Sequence, residues 1–248
     1  TPASTPTVSI IIPARNEAGN IPQLSTRIPR LGPKTEVILI EGHSHDHTWE
    51  AIQDLICQQQ AQPNPQFSWQ AQQQTGKGKG DAVRLGFALA TGDILMILDA
   101  DLTVAPEALS QFYTVISQGR GEMINGSRLV YPRTDAAMPW LNTLANKFFA
   151  MLFSFLLDQR LKDTLCGTKV LWRDDYDRIA GNRPYFGNFD PFGDFDLLFG
   201  AAKLNHHLVE VPVHYQPRSY GRSNINHIRE GLILLKMCFY AAQKIKFI

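Results

Sequence analysis

Three cysteines and the lack of any long apolar run exclude several classes of protein. Cys57, Cys166 and Cys238 lie far apart in the 248 residues and form no Cys-x-x-Cys pair. This spacing indicates neither a disulfide framework nor a zinc site made of cysteines, so we expect a reducing compartment. No uninterrupted apolar run approaches the ~20 residues that a membrane-spanning helix requires, so we expect no such helix in this sequence.

The sequence also lacks a strong net charge. Its formal charge is +1 at pH 7, which argues against a general nucleic-acid-binding surface. The charge is uneven, however, because residues 203–248 hold seven Lys/Arg against two Asp/Glu (+5), whereas residues 1–202 carry −4. A basic C-terminal segment on an acidic body predicts an anionic partner, either a phosphate or a lipid headgroup.

Short apolar runs alternate with helical segments through the first half of the chain. The predicted strands are TVSIIIP, EVILIEG, NPQFSWQAQ, DILMILDAD and GEMINGSR. The predicted helices are residues 16–28, residues 46–60 with Asp46 as the N-cap, a segment that follows the loop GKGKGD and stops at Gly92, and residues 106–119. This alternation predicts an α/β fold with a Rossmann-like, doubly wound, mostly parallel sheet.

The second half has a different pattern, which predicts an α/β extension with amphipathic helices. A very apolar helix, WLNTLANKFFAMLFSFLL, is followed by a loop and strand in KDTLCGTKVLWRDD. The remaining predicted elements are the helix GDFDLLFGAAKL, the alternating strand HLVEVPVHYQ and the amphipathic terminal helix REGLILLKMCFYAAQKIKFI.

The stretch ILMILDADLTVAPE contains Asp99 and Asp101 directly after a predicted strand, and two interpretations are open. Asp99 is a phosphoryl-accepting nucleophile if the chain is a haloacid-dehalogenase-type phosphatase. The two aspartates are instead metal ligands if a divalent cation clamps a nucleotide diphosphate there. The phosphatases carry this motif on their first strand, whereas two strand–helix units precede it here, so its position favours the metal clamp.

Two other polar stretches are less specific. The loop TGKGKGDA matches neither a P-loop nor a dinucleotide-binding motif, although glycines that open a helix present backbone N–H groups to an anion. The stretch EGHSHDHTW contains His43, His45 and His47 at two-residue spacing. These histidines lack the usual partners of a zinc site, and polar residues that line a nucleotide pocket are the favoured interpretation.

These motifs together resemble the family-2 glycosyltransferases of the GT-A fold, and most closely the polyprenyl-phosphate glycosyltransferases of the dolichol-phosphate mannose synthase type. The resemblance extends from Val8 to about Lys246. It depends on the order of the segments VSIIIPARNEAGNI, VILIEGHSHDHT, GKGKGDAVRLGFALATGDILMILDADLTVAPE, GSR, KDTLCGTKV and GDFDL.

The resemblance implies roles for individual residues. Asp99 and Asp101 are the implied ligands of Mg²⁺ or Mn²⁺. The implied contacts to donor or acceptor are Pro13, Arg15, Glu17, Glu41, Asp46, Lys79, Asp99, Arg128, Arg218 and Arg222. The candidate catalytic residues are Asp101, Asp163 and Asp194, with Asp196 as the alternative to Asp194.

The implied domain organisation is a short tail at residues 1–6, a GT-A domain at 7–225 and an amphipathic helix at 226–248. Within the domain, residues 7–128 form the nucleotide-sugar half and 129–225 the acceptor half.

The implied reaction is metal-dependent, inverting transfer of a sugar from a nucleotide-diphosphate sugar. A polyprenyl phosphate, whose second pKa of about 6 leaves it ionised at neutral pH, requires no strong base, whereas a saccharide or other soluble hydroxyl acceptor does. Asp163 and Asp194 or Asp196 are the candidates for that base. The alternatives of another class are the phosphatase and a non-catalytic module that docks on membranes.

Two segments predict that the protein works on a membrane surface. Phe148–Leu157 has only Ser154 as a polar residue, and Gly231–Ile248 places apolar residues at helical spacing among lysines. Such segments can lie in an interface without crossing it, and the alternative is that both helices simply pack on each other or on the sheet. The expected location is the cytoplasmic face of a membrane, with a nucleotide-sugar donor, a lipid-phosphate acceptor and no nucleic acid as partners.

Overall fold

A computed structural model describes residues 5–128, 130, 140–182, 193, 195–221 and 227–245 of the chain. Within these ranges the side chains of residues 140–145, 227–230 and 244–245 are not described. Two of the predicted site residues, Asp194 and Arg222, lie outside the described residues.

A seven-stranded sheet forms the centre of the described structure. Its strands are β1 (Val8–Ala14), β2 (Thr35–Glu41), β3 (Phe67–Gln73), β4 (Ile94–Ile97), β5 (Met123–Ser127), β6 (Lys169–Trp172) and β7 (Leu208–Pro212). They lie in the order β3-β2-β1-β4-β6-β5-β7. All strands run parallel except β6, which is antiparallel to both of its neighbours. The predicted mostly parallel α/β sheet is therefore confirmed.

The position of β6 differs from the simple parallel series that the first half of the sequence suggests. β5 does not pair with β4, because β6 from the second half of the chain lies between them. As β6 is antiparallel, its amino end lies at the same edge of the sheet as the carboxyl ends of β4 and β5. The loop that precedes β6, residues 161–168, therefore reaches that edge.

Eight α-helices are described. They are α1 (Leu24–Arg27), α2 (Thr48–Ala61), α3 (Lys79–Leu89), α4 (Leu109–Ser117), α5 (Trp140–Leu157), α6 (Arg173–Gly181), α7 (Phe195–Lys203) and α8 (His227–Ile245). Short 3₁₀ turns at Ile21–Gln23 and Pro106–Ala108 precede α1 and α4. No described helix is long and apolar enough to cross a membrane.

Three local predictions need correction. The expected helix at 16–28 is only a 3₁₀ turn and one α-helical turn, because Asn16 has a left-handed backbone (φ 58°) and the residues after it form a loop. The N-cap of α2 is His47, not Asp46, although the Asp46 carboxylate accepts a 3.1 Å hydrogen bond from the Thr48 N–H. Helix α6 was not predicted, because the segment RDDYDRIAG is mostly polar and follows a short apolar strand directly.

Helices cover both faces of the sheet, which confirms the doubly wound architecture. In β1, Ile10 and Ile12 pack with residues of α1, α2 and α4. Ile11 points to the other face and packs in the cluster that contains residues of α3, α5, α6, α7 and α8. The strands are apolar on both faces because each face carries a helical layer.

A buried carboxylate holds the amino ends of the central strands together. Glu36 lies near the start of β2 and accepts hydrogen bonds from the backbone N–H and the hydroxyl of Thr91 at 2.7 and 3.1 Å. The hydroxyl of Ser9 and the amide of Gln70 also donate to it. This network lies at the opposite end of the strands from the carboxyl edge.

Glu36→Gln is expected to lower the free energy of unfolding by about 1–3 kcal/mol, because the amide NH₂ faces groups that are themselves donors. Urea unfolding measures this value, and the m-value should stay constant. An unchanged midpoint would show that the network contributes nothing to stability.

Candidate active site

The loops at the carboxyl edge of the sheet bring the polar motifs into one crevice. The residues that follow β1, β2, β4 and β5 meet there with the loop before β6 and with a segment that follows β7. Ligands of open α/β sheets bind at this edge. The crevice therefore gathers most of the residues that the sequence analysis singled out.

Glu41 and Asp46 organise the loops after β1 and β2. Glu41 is buried, and its carboxylate accepts hydrogen bonds from the Ser44 N–H at 2.6 Å and the Gln73 amide at 3.1 Å. Burial raises the pKa of Glu41, but these hydrogen bonds outweigh burial and leave the pKa below its ordinary value. Asp46 accepts a hydrogen bond from the Ala18 N–H. Both carboxylates shape the loops at the carboxyl end of β1, where Pro13 is in the strand and Arg15 directly follows it.

Asp99 is surrounded by positive charge. Its Oδ1 lies 2.7 Å from the Nζ of Lys79, the first residue of α3. Burial raises the pKa of Asp99, but the positive charges of Lys79, Lys169 and Arg128 lower it by a larger amount. The pKa of Asp99 is therefore below its ordinary value. Gly167 packs so tightly against the Asp99 carboxylate and Lys79 that a Cβ there has no space. Asp99 is thus fixed and ionised.

Asp101 is held from two sides. Its Oδ1 accepts hydrogen bonds from the N–H and hydroxyl of Thr103 at 3.0 and 2.8 Å. Its Oδ2 accepts a 2.8 Å hydrogen bond from Nη2 of Arg218. The second terminal nitrogen of the Arg218 guanidinium, Nη1, donates to Glu17. Burial, with a smaller contribution from Asp101, raises the pKa of Glu17 to about 7 against the opposing effect of Arg218.

The segment 218–221 lies across the loop after β1. The hydroxyl of Ser219 donates to Asn20 at 3.1 Å, and the hydroxyl of Tyr220 donates to Asp46 at 3.3 Å. The ring of Tyr220 lies directly on Gly19, which leaves no space for a side chain there. Arg218 therefore reaches Asp101 as part of a segment that contacts several predicted donor-binding residues.

Asp163 forms a buried ion pair at the base of the crevice. Its side chain is 0% exposed, and it accepts hydrogen bonds from Nε and Nη2 of Arg128 at 2.7 and 2.8 Å. The Arg128 N–H, the Asn146 amide and the Leu165 N–H also donate to it. Burial raises the pKa of Asp163, but Arg128 and the hydrogen bonds lower it to about 2. This environment opposes the proton-accepting role that the sequence analysis suggested for Asp163.

The carboxylates fit a divalent cation that substrate phosphates help to hold. Among the described residues no group of three His, Cys, Asp or Glu side chains forms a metal site. Mg²⁺ and Mn²⁺ in nucleotide sites need only one or two carboxylates, since phosphates and water complete the shell. The carboxylates of Asp99 and Asp101 are suited to serve as these ligands, and in this structure Asp101 Oδ2 accepts a hydrogen bond from Arg218. His43 instead contacts the Gly76 carbonyl, and His47 lies 3.7 Å from Glu50.

The structure also shows site residues that the sequence analysis missed. Asn146 is a buried amide on the apolar helix α5, and a polar residue in such a helix is a signal that could have identified it. Gly167 lies within the quoted segment KDTLCGTKV, but nothing local marks its contact with Asp99. No feature of the sequence marks Tyr215 or Tyr220 as site residues. The centre of the Tyr215 ring lies 5.3 Å from the Arg128 guanidinium carbon. Asp196 is buried in α7.

Known proteins share both the sequence pattern and the fold. The family model for "Glycosyl transferase family 2" matches residues 9–179. A dolichol-phosphate mannosyltransferase of Pyrococcus furiosus is 28% identical over 88% of this chain, which spans 59% of that relative's length. A polyprenol monophosphomannose synthase of Mycolicibacterium smegmatis is 26% identical over 90% of this chain and 83% of the relative.

Two solved structures are similar in fold. Glucosyl-3-phosphoglycerate synthase from Mycobacterium tuberculosis, in complex with Mn²⁺, UDP and glucosyl-3-phosphoglycerate, has a TM-score of 0.64 at 16% identity, over 97% of this chain and 80% of that one. A mannosyltransferase from Pyrobaculum calidifontis, in complex with GDP-Man and Mn²⁺, has a TM-score of 0.56 at 20% identity, over 88% and 60%.

The sheet, the crevice at its carboxyl edge and these neighbours define the GT-A fold. The chain belongs to glycosyl transferase family 2. The haloacid-dehalogenase-type phosphatase is therefore the wrong interpretation of Asp99.

Asp163→Asn is expected to make the protein less stable at pH 7 and less sensitive to acid. The folded-state pKa of about 2 lies below the ordinary 3.8, so the ionised group stabilises the fold above about pH 4, and this contribution of roughly 2 kcal/mol is lost as the pH falls toward 2. Urea unfolding at several pH values measures the difference between wild type and variant. A difference that stays constant from pH 7 to pH 3 would contradict this account.

Proposed function

We propose that the protein transfers a sugar, with inversion, from a nucleotide-diphosphate sugar to a polyprenyl phosphate, with Mg²⁺ or Mn²⁺ bound at Asp99 and Asp101. The observation that carries the proposal is the group of ionic contacts in the crevice: Lys79 with Asp99, and Arg218 with Asp101 and Glu17. The lipid-phosphate chemistry of the two curated relatives supports the choice of acceptor.

The carboxylate contacts of Arg218 can be replaced by contacts to the phosphates of a bound donor. A donor diphosphate and a divalent cation together carry little net charge, so their entry adds little uncompensated charge to the crevice. In this proposal Arg218 leaves Asp101 Oδ2 and donates to phosphate oxygens instead, as Arg does in bidentate phosphate contacts. Lys79 lies beside Asp99 and reaches the same diphosphate. When bound, the metal neutralises charge that develops on the leaving diphosphate.

The environment of Asp163 favours a phosphate acceptor over a hydroxyl acceptor. A hydroxyl needs a general base, and Asp163 is unsuited to that role because its pKa is about 2 and both of its oxygens accept hydrogen bonds. A polyprenyl phosphate is already mostly ionised at neutral pH. In this proposal Arg128 and Arg218 orient the acceptor phosphate and the donor.

An apolar surface suits the protein to a membrane interface. Helices α5 and α8 pack against each other, and six of their apolar side chains are between 44% and 68% exposed: Phe148, Met151, Phe155, Leu232, Leu235 and Phe239. Monomeric proteins rarely expose such a group of large apolar residues without a partner. We place this surface on the cytoplasmic leaflet, in keeping with three free cysteines. Such docking brings the crevice to lipid-linked phosphates.

Incubation with a panel of nucleotide-sugars, Mn²⁺ and undecaprenyl or dolichyl phosphate tests the reaction, with mass spectrometry of the extracted lipid as the readout. We expect one donor to yield a glycosyl phospholipid of inverted anomeric configuration by NMR.

Asp101→Ala should lower turnover by roughly a hundredfold or more, since it removes a fixed charge. The control Glu107→Ala, at an exposed pair with Arg27, should retain turnover. Transfer only to soluble acceptors, or equal rates with EDTA, would reject the proposal.

Flotation on anionic liposomes tests the membrane surface. The wild type should float at low salt, and the triple variant Phe148→Ser, Met151→Ser and Phe155→Ser should bind at least tenfold more weakly because it loses apolar burial. Substitution of Gln53, Gln58 and Gln60 by Ser, all exposed on α2, provides the control and should not alter binding. Wild-type protein that stays in the soluble fraction would make a soluble acceptor the better choice.

A further inference from the structure

Arg128 is a basic residue of the crevice whose position the fold fixes closely. It follows β5 directly, its side chain is 11% exposed, and its guanidinium lies over the ring of Tyr215. A long side chain with many rotamers keeps such a position only if its partners hold it.

Asp163 accepts most of the hydrogen bonds that keep Arg128 in this position. Arg128 donates to it in the bidentate geometry, through Nε and Nη2, and donates also through its own backbone N–H at 2.9 Å. One carboxylate therefore fixes both the start of the loop after β5 and the end of its arginine side chain. Bidentate Arg–carboxylate pairs fix orientation as well as distance.

Two further residues fix Asp163. The amide of Asn146, on α5, donates to Asp163 Oδ1 at 2.9 Å. The carboxylate of Glu210, on β7, accepts the backbone N–H of Asp163 at 2.9 Å. Burial raises the pKa of Glu210. Three elements that are distant in the sequence thus converge on one buried residue: the loop after β5 and helix α5 on its carboxylate, and β7 on its backbone N–H.

We propose that Asp163 is the positioning residue for Arg128 and that Asn146 completes its shell, so that helix α5 sets the place of a cation in the crevice. Asn146 lies on the buried side of α5 with Phe149 and Phe153, whereas Met151 and Phe155 lie on its exposed side. The helix that carries the exposed apolar surface is therefore hydrogen-bonded to the carboxylate that holds Arg128. Asp163 acts through Arg128 and exchanges no proton with substrate.

The first test observes Arg128 itself and needs no substrate. The ¹⁵N–¹H signal of its Nε–H group, assigned by its loss in Arg128→Lys, should be sharp and slow to exchange in the wild type. It should shift and broaden in Asp163→Asn and in Asn146→Ala. It should stay unchanged in Glu36→Gln, a buried carboxylate variant at the far end of the sheet. An unaltered signal in a folded Asp163→Asn protein overturns the proposal.

The second test is kinetic, and it rests on the proposed function. With the donor found in the panel and undecaprenyl phosphate as acceptor, Asp163→Asn should lower kcat/KM at least tenfold. In an Arg128→Met background the same change should cost less than twofold, because Asp163 acts through the missing arginine. The acidic limb of the pH profile should keep its midpoint in Asp163→Asn. The result would instead assign Asp163 as a base if the losses in kcat/KM of the two single variants multiply in the double variant. Loss of the acidic limb of the pH profile in Asp163→Asn would lead to the same assignment.

The variants are chosen so that failures can be told apart. Arg128→Met alone leaves a buried unpaired carboxylate, which is strongly destabilising, whereas the double variant removes both charges and Asn146→Ala keeps the pair. If no donor in the panel is turned over, the proposed function fails, but the Nε–H signal still decides whether Asp163 and Asn146 hold Arg128.

Discussion

The pairing of carboxylates with cations at the carboxyl edge of the sheet is the constraint on which the site depends. Lys79 meets Asp99, Arg218 meets Asp101 and Glu17, and Arg128 meets Asp163. Removal of one partner from a buried pair leaves an uncompensated charge and costs several kcal/mol. The pairs differ in burial: Asp163 is wholly enclosed, whereas Arg218 lies on a surface segment. The enclosed pair fits a permanent structural role, and the outer pair fits exchange with ligands.

The sheet topology explains how these pairs form from distant parts of the sequence. Because β6 is antiparallel between β4 and β5, the loop before it arrives at the ligand-binding edge. That loop carries Asp163 to Arg128 and Gly167 to Asp99. A parallel strand at this place would send the same loop to the opposite edge, where Glu36 and its partners lie. One reversed strand thus makes the second half of the chain part of the site.

Much of the fold could be predicted from local sequence, and the pairings could not. Apolar runs such as VSIIIP and EVILI specify buried strands because both of their faces are covered by helices. The place of β6 in the sheet depends on partners far away in the chain, which local periodicity does not encode. The motif order predicted Asp99 and Asp101 as site residues, whereas the contacts of Asn146 and Tyr220 depend on partners far away in the chain and required the structure. Asp163 was located by its motif, but its environment, not its type, opposes a role as a base.

A crystal of the protein with Mn²⁺ and a nucleoside diphosphate, with anomalous scattering to locate the metal, tests the central claim most directly. We expect a Mn²⁺ peak within about 2.5 Å of an Asp101 carboxylate oxygen, with the Arg218 guanidinium moved from Asp101 to the phosphates and the Arg128–Asp163 pair unchanged. A nucleotide bound in the crevice with no metal near Asp99 or Asp101, or with Arg218 still bonded to Asp101, would contradict it.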